Sequence, residues 1–96
     1  MSTSPQEIDT SQGVVVFSSD YCPFCIAAKD LLTQKSVQWQ EYRVDGNAEL
    51  RQQMSQLAGR TSVPQIWIAG TYVGGCDELR ALESQGQLDV LLQRLE

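Results

Sequence analysis

The chain has 96 residues, 42% of them hydrophobic and 20% charged, with a formal net charge of -5. That is one small domain with apolar material for a single core, and its acidity argues against nucleic-acid or anionic-membrane partners, which select a basic face. No apolar run reaches the roughly 18 residues of a membrane-spanning helix, and Met1 to Gln12 lacks the basic and apolar segments of a secretory signal.

Residues 1–12 contain Ser, Thr, Pro and Gln without period and read as a mobile leader, which leaves 13–96 as the folded domain. Val14 to Ser18 predicts a short, continuously apolar strand at the buried centre of a sheet. Pro23 suits the first helical position, where its missing N–H costs nothing. Ala27, Ala28, Leu31 and Leu32 then recur at helical spacing, to an end near Lys35-Ser36. Residues 39–44 predict a second strand, Asp45-Gly46-Asn47 a turn and helix start, and 48–57 a second helix closed by Gly59 near a C-cap position. Strand–helix–strand order makes the first two strands parallel, with a right-handed crossover. Residues 65–68 predict a third strand, Ala69-Gly70-Thr71 a tight turn, and Tyr72-Val73 a fourth strand antiparallel to the third. After Gly74-Gly75, helices over about 76–85 and 88–95 complete an α/β domain, one mixed sheet with helices packed on it.

Cys22-Pro23-Phe24-Cys25 carries most of the chemistry. It sits at a strand-to-helix turn, with the first cysteine at the helix N-terminus. Unpaired N–H groups and the positive end of the helix dipole favour thiolate over thiol there, and the thiolate is the reactive species. The N–H groups of Phe24 and Cys25 are expected to point at the Cys22 sulfur. Cys25 lies inside the turn and is more covered, so Cys22 attacks and Cys25 resolves. Such a position lowers a cysteine pKa from about 8.5 toward roughly 3.5–7.5.

Three cysteines and no histidine suit a reducing cytoplasm better than a disulfide-stapled secreted fold. The missing histidine excludes a Cys–His nucleophile pair, so activation of Cys22 must come from backbone dipoles and nearby cations. Structural zinc is the competing reading of Cys-x-x-Cys, but it needs four ligands and only Cys76 remains. No metal site is therefore expected. A pair of structural thiols is the other bland reading.

Two further motifs accompany the first. In Thr61-Ser62-Val63-Pro64, about 5–6% of such X–Pro bonds are cis in folded proteins, so residues alone favour trans. In Gly74-Gly75-Cys76-Asp77, Asp77 reads as a helix N-cap; alternatively, the glycines admit a ligand to the backbone and the N–H groups bind a carboxylate. Cys76 reads as a partly buried spectator, or else as a site of glutathionylation or intermolecular disulfide formation.

Together the three motifs, in this order and over residues 13–95, resemble the glutaredoxin family, specifically its small dithiol class. The pieces are Cys22-Pro23-Phe24-Cys25, Gly59-Arg60-Thr61-Ser62-Val63-Pro64-Gln65 and Gly74-Gly75-Cys76-Asp77-Glu78-Leu79. The resemblance implies a thioredoxin fold with a four-stranded mixed sheet flanked by helices, and a cis Val63-Pro64 facing the Cys22 turn. It also implies a glutathione site made by Arg51, Arg60, Ser62, Val63, Pro64, Gly75, Cys76 and Asp77. In it the Val63 backbone pairs with the cysteinyl part, and the Cys76 and Asp77 N–H groups take the γ-glutamyl carboxylate. The Asp77 carboxylate faces the ammonium, and Arg51 or Arg60 holds the glycine carboxylate. One departure stands out: many members place a lysine where this chain has Ser19. With Asp20 close by and opposing the thiolate, Cys22 is expected to be less acidic than in lysine-bearing relatives, unless Arg60 compensates.

The implied activity is glutathione-dependent thiol–disulfide exchange by a cytoplasmic monomer, with glutathione as reductant and with glutathionylated or disulfide-containing proteins as partners. Its potential is expected near the family range of about -200 to -230 mV. Two rivals remain: an iron–sulfur carrier, which Pro23 disfavours, and a thioredoxin-type donor reduced by a flavoprotein.

Overall fold

The computed structural model describes residues 8–95. Positions 1–7 of the expected leader lie outside them, while Ile8 packs beside the core. Strand β1 (Val14–Ser18) is buried at all five positions, as an unbroken apolar run requires when both sheet faces are covered. Strand β2 (Gln40–Arg43) pairs with it in parallel, with α1 (Pro23–Gln34) as the crossover. On the other side of β1 lies β3 (Gln65–Ile68), antiparallel to it and reached through α2 (Ala48–Ala58). Strand β4 (Thr71–Gly74) pairs antiparallel with β3 and completes the order β2-β1-β3-β4. Helices α3 (Cys76–Ser84) and α4 (Gln87–Gln93) follow.

Side chains alternate across β1 and so divide the core in two. Val14 and Val16 join Ala28 and Leu32 of α1, Ile66 and Ile68 of β3, Leu79 of α3 and Leu88 of α4. Val15 and Phe17 face the other way, toward Tyr42, Val44, Leu50 and Met54. Phe17 and Tyr42 stack at 5.2 Å, a contact worth about 0.5–1.5 kcal/mol beyond its area. Truncating a fully buried leucine such as Leu32 or Leu79 to alanine costs about 2–5 kcal/mol.

Element boundaries differ from expectation at the sheet edges. The second strand loses Trp39 and Val44, although the Val44 N–H still donates to the Ser18 carbonyl at 3.0 Å. The fourth gains Thr71 and Gly74, because the hairpin turn needs only Ala69 and Gly70. Both of these have positive φ, 50° and 84°, the geometry of a two-residue type I′ connection. The last helix starts at Gln87 and ends at Gln93, earlier at both ends than expected.

Candidate active site

Three motifs far apart in sequence converge because of strand direction. β1 runs toward one end of the sheet and delivers Cys22 there. β3 starts at that end, with Gln65 opposite Phe17, so Pro64 arrives beside the Cys22 turn. β4 finishes there, with Gly74 opposite Ile66, which brings Gly75 and the start of α3. Val73 is an extra residue in the β4 ladder, and this bulge bends the chain just before the glycines.

Cys22 is the N-cap of α1, with extended φ/ψ of -136° and 98°, and Pro23 follows it in the first turn. The Cys25 N–H donates to the Cys22 Sγ at 3.1 Å. That contact supplies one of the two expected donors; for the Phe24 N–H no such hydrogen bond is found. Cys22 keeps 9% of its surface exposed and Cys25 none. The two sulfurs are joined in a disulfide. Tyr21 and Phe24, 96% and 59% exposed, flank the turn.

The segment before Cys22 is fastened to the end of β2. Asp45 accepts from the Ser19 hydroxyl at 2.6 Å and from the Asp20 N–H. The Ser19 hydrogen bond first, and the Asp20 amide second, hold the Asp45 carboxyl below its ordinary range. Asp20 pairs with Arg43 at 3.1 Å. Its charge therefore has a cation beside it, one that Glu41 shares. Deeper in, the buried Ser18 donates to Glu41 at 2.6 Å and Lys29 of α1 pairs with the same carboxylate at 3.3 Å. Burial pushes the Glu41 carboxyl up, but the Ser18 hydroxyl and the Lys29 ammonium outweigh it and hold it below its usual value.

The second wall is the 60–64 loop. The Val63-Pro64 bond is cis, as the family resemblance implied and against the odds read from the residues alone. The Val63 carbonyl oxygen lies 3.8 Å from the Cys22 Sγ, within reach of a thiol S–H in the reduced state. Gln65, 1% exposed, donates from Nε2 to the carbonyls of Arg60 and Ser62 at 2.8 and 3.0 Å. It clamps the loop that carries Arg60, Ser62 and Val63, a role the sequence reading did not assign. A glutamine among fully buried strand neighbours was the available signal.

The third wall is the start of α3. Its N-cap is Gly75, and the Glu78 Oε1 accepts the Gly75 N–H at 2.9 Å. Capping therefore comes from Glu78 reaching back, which corrects the reading of Asp77 as N-cap; Asp77 stands two positions too late. The N–H groups of Cys76 and Asp77 lie in the first turn, where no intrahelical acceptor exists. Cys76 itself is 3% exposed and belongs to the core, more deeply buried than expected.

These walls enclose a cleft of about 180 Å³. Arg60, Ser62, Val63, Pro64, Gly75, Cys76 and Asp77 all line it, joined by Phe24, Tyr72 and Glu78, which the sequence reading did not single out. Arg51 does not line it: its Nη1 donates to the Thr61 carbonyl at 3.1 Å and so braces the loop from outside. Of the two arginines, Arg60 is the one at the cleft. Chemically, the arrangement offers a capped sulfur nucleophile, a covered second sulfur, a peptide edge at Val63, and a positive helix end beside an arginine.

The glutaredoxin family model matches residues 14–73. The chain is 54% identical over 79 residues to a glutaredoxin of Pseudomonas aeruginosa, covering 82% of this chain and 94% of that protein. It is 48% identical over 80 residues to glutaredoxin 3 of Escherichia coli, with coverage of 83% and 96%. Among solved structures, a buckwheat glutaredoxin–glutathione complex superposes with a TM-score of 0.81 at 29% identity, covering 90% of this chain and 81% of that one.

Proposed function

The chain belongs to the glutaredoxin family and is a glutathione-dependent thiol–disulfide oxidoreductase, and from that premise we propose that Cys22 is its nucleophile and Cys25 its resolving thiol. The observation that carries the assignment is the asymmetry at the start of α1. Cys22 is the N-cap that receives an N–H and, though buried, keeps 9% of its surface open, and Cys25 is the fully covered donor of that N–H.

For a glutathionylated protein, the Cys22 thiolate attacks the glutathione sulfur. A Cys22–glutathione disulfide forms, and the protein thiolate leaves and is protonated from solvent. A second glutathione thiolate attacks the same glutathione sulfur, releasing oxidised glutathione and restoring Cys22. For a protein disulfide, Cys22 attacks one sulfur and forms a mixed disulfide. Cys25 then attacks the Cys22 sulfur, which releases the reduced protein and leaves the Cys22–Cys25 disulfide for two glutathione molecules to reduce. Rates follow thiolate fraction and leaving-group pKa.

Glutathione fits the cleft as a chemical inventory. The first-turn N–H groups of Cys76 and Asp77 suit its γ-glutamyl carboxylate, and Asp77 suits the ammonium beside it. The Val63 backbone suits the cysteinyl amide, flanked by Ser62, Pro64 and Gly75. Arg60 suits the glycine carboxylate, while Arg51 serves by bracing Thr61. Partners are glutathionylated or disulfide-bearing proteins, met by a cytoplasmic monomer with a short leader over 1–12 and a folded domain over 13–96. Among the described residues no helix is long and apolar enough to cross a membrane.

The test is a glutathione-coupled assay on a small glutathione mixed disulfide and on a protein disulfide. Cys22→Ser should abolish both reactions, since the sulfurs left at Cys25 and Cys76 are covered. Cys25→Ser should spare deglutathionylation and weaken dithiol reduction. Loss of both activities in Cys25→Ser would contradict the division of roles.

A further inference from the structure

Glu78 lines the cleft without a part in the exchange chemistry, and its side chain is unusually constrained. Oε1 accepts the Gly75 N–H at 2.9 Å and stands 3.6 Å from Arg60 Nη1. The carboxylate folds back over Gly74, where a Cβ would come within 2.6 Å of Oε1 and 2.9 Å of Cγ. Gly74 also has φ of 115°, where L side chains are rarely found. The chain therefore reserves backbone space at Gly74 for this carboxylate, and the carboxylate stands between the helix cap and the arginine.

We propose that Glu78 is a specificity-determining residue that competes with the incoming carboxylate of glutathione for Arg60. This deepens the reading of Arg60 as the holder of that carboxylate and rests on it. In the free protein Arg60 Nη1 faces Glu78, so an anion that takes this side of the guanidinium must displace the carboxylate. A ligand without a correctly placed carboxylate leaves the pair intact and gains nothing from the arginine. Binding is thereby weakened only for ligands whose carboxylate seeks the arginine, and the gap between glutathionyl and other disulfides is set by how well the ligand's carboxylate replaces Glu78. Since Glu78 touches no reacting atom, its effect falls on KM and passes through Arg60.

The experiment is a double-mutant cycle on the intact protein, with a glutathionylated peptide as varied substrate at saturating glutathione. Glu78→Gln keeps an oxygen for the Gly75 N–H and removes the charge, so melting temperature should hold. KM should fall about two- to fivefold, the range of an exposed ion pair, and kcat should stay in place. Arg60→Gln should raise KM, and in that background Glu78→Gln should have no further effect. A KM that is unchanged or raised in Glu78→Gln, with Arg60→Gln raising it, overturns the competition while leaving Arg60 as carboxylate holder. An equal fall in both backgrounds shows a general field and also overturns it. If Arg60→Gln leaves KM untouched, the reading of Arg60 fails, and this inference with it.

Discussion

At position 19 the chain carries a hydroxyl where the family resemblance implies a lysine, and the structure shows what the hydroxyl does. Ser19 and the Asp20 amide both hold Asp45, so the residue fastens the turn that presents Cys22. With its pKa lowered by those bonds, Asp45 stays ionised across the neutral range, and the fastening persists there. At the sulfur itself, the Cys25 N–H at the start of α1 donates to Cys22 Sγ. Ser19→Lys should therefore lower the Cys22 pKa in the reduced protein by about 0.5, the scale of one solvent-screened charge at short range. The ultraviolet absorbance of the thiolate against pH checks this. An unmoved midpoint would mean that the missing charge is irrelevant to Cys22. Roles such as that of Ser19 were hard to read from sequence, because its partner lies 26 positions away. Gln65 could be noticed as a polar residue in an apolar strand, but its acceptors are backbone carbonyls, which the residue pattern does not name.

At the scale of elements, what depends on local periodicity was legible and what depends on the neighbouring strand was not. β1 and β3 fell where their apolar runs placed them, and Pro23, Asn47 and Gly59 marked helix ends through chemistry that acts within a turn. The edge strands β2 and β4 shifted by a residue at each end, since their limits are set by pairing with β1 and β3. The cap of α3 was misread because Glu78 answers a glycine, where no side chain signals the start. One element is locally at odds with its residue. Ala69 occupies a left-handed position in the β3–β4 turn, which costs an L residue about 1–2 kcal/mol. Ala69→Asn supplies the Asn-Gly pair that such turns favour and should stabilise the domain by about 0.5–1 kcal/mol, read as a higher midpoint in urea with unchanged slope. A lower midpoint would mean that the packing of the Ala69 methyl outweighs the turn.

For the whole molecule, the site exists because the sheet order sends three loops to one end. Cys22 follows β1, Pro64 precedes β3 and Gly75 follows β4. Motif order along the chain was visible from the start, but convergence was available only through the resemblance to a family of known fold. That resemblance also supplied the cis bond at Pro64. It could not say which arginine meets the cleft: geometry separates Arg60, in the lining, from Arg51, braced against Thr61.

For the reduced protein we propose an ionised sulfur at Cys22, beside covered sulfurs at Cys25 and Cys76. The direct measurement is the rate of iodoacetamide alkylation of the reduced protein against pH, with modified sites assigned by mass spectrometry. Cys22 should react first, with a midpoint well below the free-thiol value of about 8.5, and Cys25 and Cys76 should stay unmodified in the folded protein. First reaction at Cys25, or a Cys22 midpoint at or above the free-thiol value, would contradict the account.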